Sequence, residues 1–255
     1  MYVRMRGGSG LGDALYLRPL VEYCLRRGDS VTVMTAYREV FDGLNVTVEP
    51  FNRERINIVG HYTHGKSNVA TNQWQDVCQS ARISVPLRTA WTVRNLALVR
   101  EIQSAAQGRK IILAHAGREP MGRADGFGNE MLPRAGAVDD ALGALKTYYV
   151  VEIGAGKKAY PIRSNQSLIN KTSVADLLDL ASICNGIVAQ CSFCVPLAEI
   201  LDKPAMFVWA ARGLASRVPF IRLSTPAKVL SKPSSRYVVD DWTTQTIQEA
   251  ARALC

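Results

Sequence analysis

The sequence predicts an α/β protein built from two halves, each with a parallel sheet covered by helices. Short apolar, β-branched runs alternate with segments of helical periodicity along the chain, which is the pattern of strand–helix–strand units. The alternation starts a second time near residues 106–110, and no short-period repeat or low-complexity tract interrupts it. A chain of 255 residues is long enough to bury a core in each half.

The first half begins with a strand at residues 2–5 that runs through a glycine-rich turn into a helix. Four glycines in residues 7–12 allow a tight turn and leave bare N–H groups at the helix start. The helix places its apolar residues on one face, at three- and four-residue spacing: Ala14, Leu17, Val21, Cys24 and Leu25. Strands are predicted at residues 30–35, 46–51 and 56–61, a loop with a short helix at 65–86, and a helix at 90–106.

The second half repeats this alternation after a strand at residues 110–114. A loop rich in glycine, arginine and proline follows, up to about residue 134. Ser173 and Asp176 form a near-capping box that marks the start of one helix. The predicted helices are residues 135–146, 173–184, 196–201 and 244–254, and the predicted strands are residues 147–153, 186–190, 205–209 and 237–239.

Bulk composition is that of a soluble globular protein, with 47% hydrophobic and 21% charged residues. No apolar run approaches the 18 or so residues of a membrane span, and no apolar segment at the N-terminus resembles a secretory signal. The six cysteines are scattered, and several lie in apolar stretches, which indicates reduced core residues. We therefore expect a cytoplasmic protein, located in the host cytoplasm if the gene is viral.

The net charge of +9, from 31 basic and 22 acidic residues, favours a polyanionic partner. Nucleic acid, an anionic lipid and an anionic sugar surface all fit it. Basic residues are spread along the chain without a run of five, so no disordered basic tail is predicted. The alternative is a generally basic protein with no polyanionic partner.

Two chemical features stand out from the residues themselves. Asp13 is the one acid in the glycine-rich turn, where it is either a helix N-cap or the acid or base of a site for a phosphate-bearing ligand. Cys191 and Cys194 form a CxxC pair, but no second pair or nearby histidine completes a metal site, so reduced core cysteines are favoured over zinc or redox chemistry.

Three separated stretches resemble one family. They are RGGSGLGDALYLRPL at residues 6–20, IILAHAGREP at 111–120, and NKTSVADLLDLASICNGIVAQCSFCVPLAEILDKPAMFVW at 170–209. Together, in this order, they resemble the heptosyltransferase-type glycosyltransferases, which transfer heptose from ADP-heptose to lipopolysaccharide. The chain resembles a divergent, short member of that family.

The resemblance implies the GT-B architecture, in which two Rossmann-like domains face each other across a cleft. Residues 1–106 would form the acceptor domain and residues 107–240 the nucleotide-sugar donor domain. Residues 241–255 would form a C-terminal helix that crosses back to pack on the first domain. The implied enzyme is an inverting glycosyltransferase. Because no Asp-x-Asp occurs in a strand-end loop, we expect no metal and no cofactor beyond the nucleotide-sugar co-substrate.

The resemblance also implies roles for particular residues. Asp13 would be the catalytic base, which glycosyl transfer needs in order to remove the proton of the attacking hydroxyl. The donor would contact Gly10, Leu11, Gly12, His115, Gly117, Arg118, Arg123, Ser192, Phe193 and Glu199. Arg118 and Arg123 would face the diphosphate, or else be solvated loop charges. Glu199 would accept hydrogen bonds from the ribose hydroxyls, or else face solvent on a helix.

The sequence departs from the family in the turn after residue 190. Members that act on lipopolysaccharide carry Asp-Ser/Thr-Gly-x-x-His there, whereas this chain retains Ser192 alone. With the positive charge and small size, this departure favours a hydroxymethylated pyrimidine in DNA as acceptor, as in bacteriophage DNA modification. Lipopolysaccharide or another envelope glycan is the alternative acceptor. A non-catalytic nucleotide-sugar-binding protein and a Rossmann oxidoreductase also stay open, although GGSGLGD is not G-x-G-x-x-G.

Overall fold

Two all-parallel sheets organise the chain. The computed structural model describes residues 1–51, 56–60, 71–117, 132–156, 160–215 and 225–254. The first sheet has the order β3–β2–β1–β4, with β1 Tyr2–Arg6, β2 Ser30–Met34, β3 Thr47–Glu49 and β4 Ile58–Val59. Its helical elements are α1 Leu11–Arg26, a 3₁₀ helix Arg38–Phe41 and α2 Gln73–Ala81.

The second sheet has six strands in the order β10–β9–β8–β5–β6–β7. Its strands are β5 Ile111–His115, β6 Tyr149–Glu152, β7 Gln166–Ser167, β8 Gly186–Gln190, β9 Ala205–Trp209 and β10 Ser235–Val239. Its helices are α3 Leu96–Ala106, α4 Ala137–Leu142, α5 Val174–Ile183, α6 Cys194–Ile200, α7 Ala211–Leu214, α8 Pro226–Val229 and α9 Thr244–Arg252. Counted from β5, this is the 3-2-1-4-5-6 order of dinucleotide-binding domains, which reverses direction between β5 and β8.

Buried strands and capped helices explain why these segments adopt their structures. Every residue of β5 and of β9 is buried, as expected for central strands covered by helices on both faces. Ser173 and Asp176 form a complete capping box at the start of α5, and Asn72 and Gln75 form another at α2. The predicted α/β class with two parallel sheets is therefore confirmed.

Helix α3 starts later than predicted and packs in a different place. It begins at Leu96 rather than near residue 90, because Asn95 caps it by accepting a hydrogen bond from Leu98 N. The backbone N–H groups of Arg94 and Asn95 donate hydrogen bonds to the Asp179 carboxylate on α5 and do not continue a helix. Since α3 contacts α5, it lies with the second sheet, although the predicted domain boundary at 106 assigns it to the first.

The prediction that the C-terminal helix crosses back to the first domain is wrong for the helix in this structure. Helix α9 packs against α4 and β10, both of which belong to the second domain. Ile247 and Ala251 are fully buried there, in the same cluster as residues of β5 and β8. The strongly one-sided apolar face of α9 is thus satisfied within the second domain. No helix in the described part of the chain is both long and apolar enough to span a bilayer.

A polar joint connects the two domains through Trp91, which lies in the segment before α3. On the α1 side, the Arg18 guanidinium lies 4.8 Å from the centroid of the Trp91 ring. On the α5 side, the indole Nε1–H of Trp91 donates to Asp179 Oδ1 at 2.6 Å. Arg18 is buried and also donates to the carbonyl oxygens of Val40 and Asp42. Helix α1 therefore contacts the ring face of Trp91, and helix α5 accepts a hydrogen bond from its indole N–H.

We expect Asp179→Ala to lower the free energy of unfolding by about 3 kcal/mol, because it leaves the Trp91 indole and two backbone N–H groups without their buried acceptor. Urea denaturation measures the change. Glu249→Ala, which removes an exposed carboxylate on α9, is the control and should change stability by less than about 0.5 kcal/mol. Equal effects of the two substitutions would contradict the importance of the joint.

Candidate active site

A cavity of about 550 Å³ lies between the two domains, within the size range of small-molecule sites. The first domain contributes the start of α1 together with Tyr16, Tyr37 and Gln73. The second domain contributes the ends of β5 and β8 and the turn that leads into α6. The predicted site residues that line it are Gly10, Leu11, Gly12, Asp13, His115, Ser192 and Phe193.

Asp13 lines this cavity and caps α1. Its Oδ2 accepts a hydrogen bond of 2.9 Å from the backbone N–H of Gly10, so the carboxylate supplies the N3 half of a capping box, while Gly10 has no side chain to supply the other half. The positive end of the helix dipole favours a negative charge at this place. Asp13 therefore caps α1 and also faces the cleft, so the two roles that the sequence allows for it are compatible.

The two walls of the cleft touch at Gly12. A Cβ on this residue would lie 3.4 Å from Pro196 Cγ and 3.5 Å from Phe193 Cα, which are ordinary van der Waals distances. Helix α1 thus approaches α6 closely, and the Asp13 turn faces the Ser192 turn across the cavity.

Ser192 and Phe193 lie in the turn between β8 and α6. The Ser192 hydroxyl accepts a hydrogen bond from Cys194 N at 3.3 Å. Helix α6 consequently starts at Cys194, two residues before the predicted start at Pro196. The Phe193 ring meets the His115 imidazole edge-on, with 5.0 Å between ring centroids. The structure thus brings together the predicted donor contacts from both stretches of the second domain.

His115 ends strand β5 and is 7% exposed. Burial lowers the pKa of its imidazole to about 4, because the charged form would lose its hydration. His115 is therefore neutral at pH 7. Its Nδ1 atom is buried and has no hydrogen-bond partner among the described residues.

Gln190, at the end of β8, was not singled out from the sequence. It lines the cavity, and its Oε1 is buried without a hydrogen-bond partner in the described part of the chain. Gly117, which follows β5, makes room for it: a Cβ at Gly117 would lie 2.3–2.5 Å from the atoms of the Gln190 carboxamide. Gly117 therefore acts through Gln190, whose carboxamide it accommodates, and it does not itself line the cavity. The position of Gln190 at a strand end was the signal that could have found it.

Glu199 does not occupy the predicted place, which corrects its assignment as a ribose contact. Its side chain is fully buried, and it is absent from the cavity lining. Its Oε1 accepts hydrogen bonds from Ser231 N at 2.7 Å and Lys232 N at 3.1 Å. Burial raises the pKa of this carboxyl group. Glu199 thus anchors the backbone that follows α8.

Arg118 and Arg123 lie outside the described residues, so their predicted contact with the diphosphate stays a prediction. Cys191 lines the cavity, and burial raises the pKa of Cys191 and of Cys194 to about 12. Both thiols are therefore protonated near neutral pH, unlike the thiolates that bind zinc or exchange disulfides. Within the described ranges, no three histidine, cysteine or acidic side chains converge on a point where a metal ion could be held.

Two Rossmann-like domains with a cleft at their strand ends define the GT-B fold. Among solved structures, the chain is similar to E. coli ADP-heptose lipopolysaccharide heptosyltransferase II, with a TM-score of 0.64, 15% identity, and coverage of 100% of this chain and 98% of that one. It is also similar to E. coli heptosyltransferase WaaC, with a TM-score of 0.60, 11% identity and full coverage of both chains. A family 9 glycosyl transferase from Veillonella parvula gives a TM-score of 0.59 at 11% identity, over 99% and 97% of the two chains.

No protein-family model matches the chain, and no curated protein matches it at the sequence level. At these identities the likeness establishes the fold. The predicted heptosyltransferase-like GT-B fold is thus confirmed.

We expect the stability of the protein to fall in acid because of His115. The folded protein keeps this imidazole neutral, with a pKa of about 4, whereas the unfolded chain binds a proton below about pH 6.5. The unfolded state therefore takes up more protons between these values, and unfolding becomes easier as the pH falls. Urea denaturation of wild type and His115→Gln at pH 7.5 and pH 5 measures the effect. The wild type should lose about 2 kcal/mol more than the variant, and parallel losses would contradict the burial of a neutral imidazole.

Proposed function

We propose that the protein is a metal-independent glycosyltransferase that moves a sugar from a nucleotide-diphosphate sugar to a hydroxyl acceptor. The proposal rests on one observation. Asp13, at the start of α1, and the strand ends of the second domain line the same cavity. In open parallel sheets, ligands bind at the carboxyl ends of strands where the strand order reverses. His115 and Gln190 end the two strands that flank this point, β5 and β8.

In the reaction, Asp13 acts as general base. It removes the proton from the acceptor hydroxyl as that oxygen bonds to C1 of the donor sugar, and the bond between C1 and the phosphate oxygen breaks. The electron pair of that bond leaves with the nucleoside diphosphate. The hydrogen bond from Gly10 N holds the carboxylate in place before the acceptor arrives, which lowers the cost of orienting it. Inversion at C1 is part of the proposal, from the family resemblance.

The leaving diphosphate needs compensation for its growing negative charge. The lining residues within the described ranges include no lysine or arginine. We propose Arg118 and Arg123, which follow the strand end at His115 in sequence, for this role. Cationic side chains stabilise a departing diphosphate without a metal ion.

Two acceptors each have one observation in their favour. The net charge of +9 favours the polyanionic DNA backbone, with a hydroxymethylated pyrimidine as the reacting group. The E. coli structure described as an ADP-heptose lipopolysaccharide heptosyltransferase favours an envelope glycan. Both acceptors are anionic and present a free hydroxyl. A non-catalytic nucleotide-sugar-binding protein is the alternative to both.

We expect Asp13→Asn to lower kcat by about 10²–10⁴-fold, since the amide keeps an oxygen that accepts from Gly10 N but cannot take up a proton. The dissociation constant of the donor should stay within about threefold, measured by calorimetry. Asp176→Asn is the matched control, because Asp176 is also an N3 acid that accepts from the N-cap backbone N–H but does not line the cavity. Its kcat should stay near that of wild type.

Unchanged turnover in Asp13→Asn would overturn the base role. Donor binding by the wild-type protein with no turnover on any acceptor would favour the binding protein. A fluorescence change on adding NADH would instead favour the oxidoreductase.

The acceptor is tested by offering two substrates with the same radiolabelled nucleotide sugars. One is duplex DNA that contains 5-hydroxymethylcytosine, and the other is lipopolysaccharide truncated to its innermost sugars. If DNA is the acceptor, label enters the duplex, and affinity for it falls at least about tenfold between 50 and 200 mM salt. Label only in the lipopolysaccharide would overturn the DNA acceptor and support the glycan.

A further inference from the structure

Two polar side chains lie at the point where the second sheet reverses its strand order. His115 ends β5 and pairs in register with Ala189, so Gln190 follows directly on the neighbouring strand β8. Nδ1 of His115 and Oε1 of Gln190 are both buried, and neither has a hydrogen-bond partner among the described residues. Both residues line the same cavity. Buried polar atoms are rarely left unpaired, and two together in a cleft indicate a ligand that pairs with them.

Two glycines with positive φ hold these side chains in position. Gly117, at φ +86°, leaves the space that the Gln190 carboxamide fills. Gly154, at φ +146°, lies beside the imidazole, and a Cβ there would be 3.1 Å from His115 Cδ2. The Phe193 ring closes a further side of His115. Side chains that are seated so closely have few other rotamers, and their unpaired atoms are preorganised for binding.

The chemistry of these atoms distinguishes between parts of a nucleotide sugar. A carboxamide and a neutral imidazole can each present either an acceptor or a donor. Hydroxyl groups satisfy both in either orientation, whereas ionised phosphate oxygens only accept hydrogen bonds. Because burial lowers the pKa of the His115 imidazole, the ring is neutral and offers no positive charge to a phosphate. No lysine or arginine accompanies the two residues in the described lining.

We infer that Gln190 and His115, the strand-end pair, bind hydroxyl groups of the donor's sugar ring and do not bind its diphosphate. This inference rests on the proposed function. It assigns sugar selection to the ends of β5 and β8, and it makes Gly117 a positioning residue for Gln190.

Calorimetry on the full chain tests this with matched ligands: ADP-heptose against ADP, and UDP-glucose against UDP. Gln190→Met keeps the length of the side chain and removes its hydrogen-bonding groups. For whichever nucleotide the wild type binds, the variant should bind the nucleotide sugar about tenfold more weakly, and the bare diphosphate within about twofold. An equal loss for both ligands, or no loss, would overturn the inference and leave the proposed function standing. Wild-type protein that binds none of the four ligands would overturn both.

A pair of glycine variants repeats the test without changing Gln190. Gly117→Ala and Gly108→Ala both strain a left-handed backbone, at φ +86° and φ +78°, but nothing lies within 4 Å of a Cβ at Gly108. Gly117→Ala should weaken nucleotide-sugar binding selectively, because it displaces the carboxamide. Gly108→Ala should leave both affinities unchanged at a similar cost in stability. Identical binding by the two variants would contradict the role of Gly117.

Discussion

The geometry of the cleft depends on the joint between Arg18, Trp91 and Asp179. Arg18 lies five residues after Asp13 on the same helix, so whatever fixes Arg18 also fixes the carboxylate at the start of α1. Desolvation lowers the pKa of the Arg18 guanidinium, and the ion pair with Glu22 at 3.0 Å opposes this effect. Trp91 transmits the position of Arg18 to α5 through its ring face and its indole N–H. Arg18 and Asp179 are buried, Trp91 is partly buried, and their hydrogen bonds are directional, so a rotation between the domains would break several of these bonds at once.

A second polar link joins the domains at another part of the cavity. Lys228 on α8 lies 2.8 Å from Asp76 on α2, and both side chains are largely buried. Val229, next to Lys228, and Gln73, on the same helix as Asp76, both line the cavity, so the ion pair joins two elements of its wall. Between the two links, α1 and α6 meet through small and apolar residues around Gly12. Burial of apolar surface stabilises this contact but does not fix its orientation. The directional polar links define the relative position of the two cavity walls.

The sequence predicts a feature correctly where the interactions that form it are local, and it fails where they involve residues distant in the chain. The strand at 186–190 and the α5 capping box depend on residues within a few positions, and both are found as predicted. The start of α3 depends on Asp179, more than 80 residues away, which takes up two N–H groups that a helix would use. Glu199 was assigned from a local motif, but the backbone N–H groups it binds lie about 30 residues downstream. Gln190 becomes visible as a site residue only when β5 and β8 are adjacent.

The donor and the acceptor are inferred from different parts of the molecule. The described lining of the cavity holds one carboxylate, Asp13, and no lysine or arginine, although the whole chain carries a net charge of +9. The excess charge therefore lies outside this lining, where a large polyanionic acceptor of the proposed kind would meet its long-range field. The uncharged polar groups of the lining suit the sugar ring of the proposed donor. Since Asp13 is the one described carboxylate that lines the cavity, its proposed role as base is the same whether the acceptor hydroxyl belongs to DNA or to a glycan.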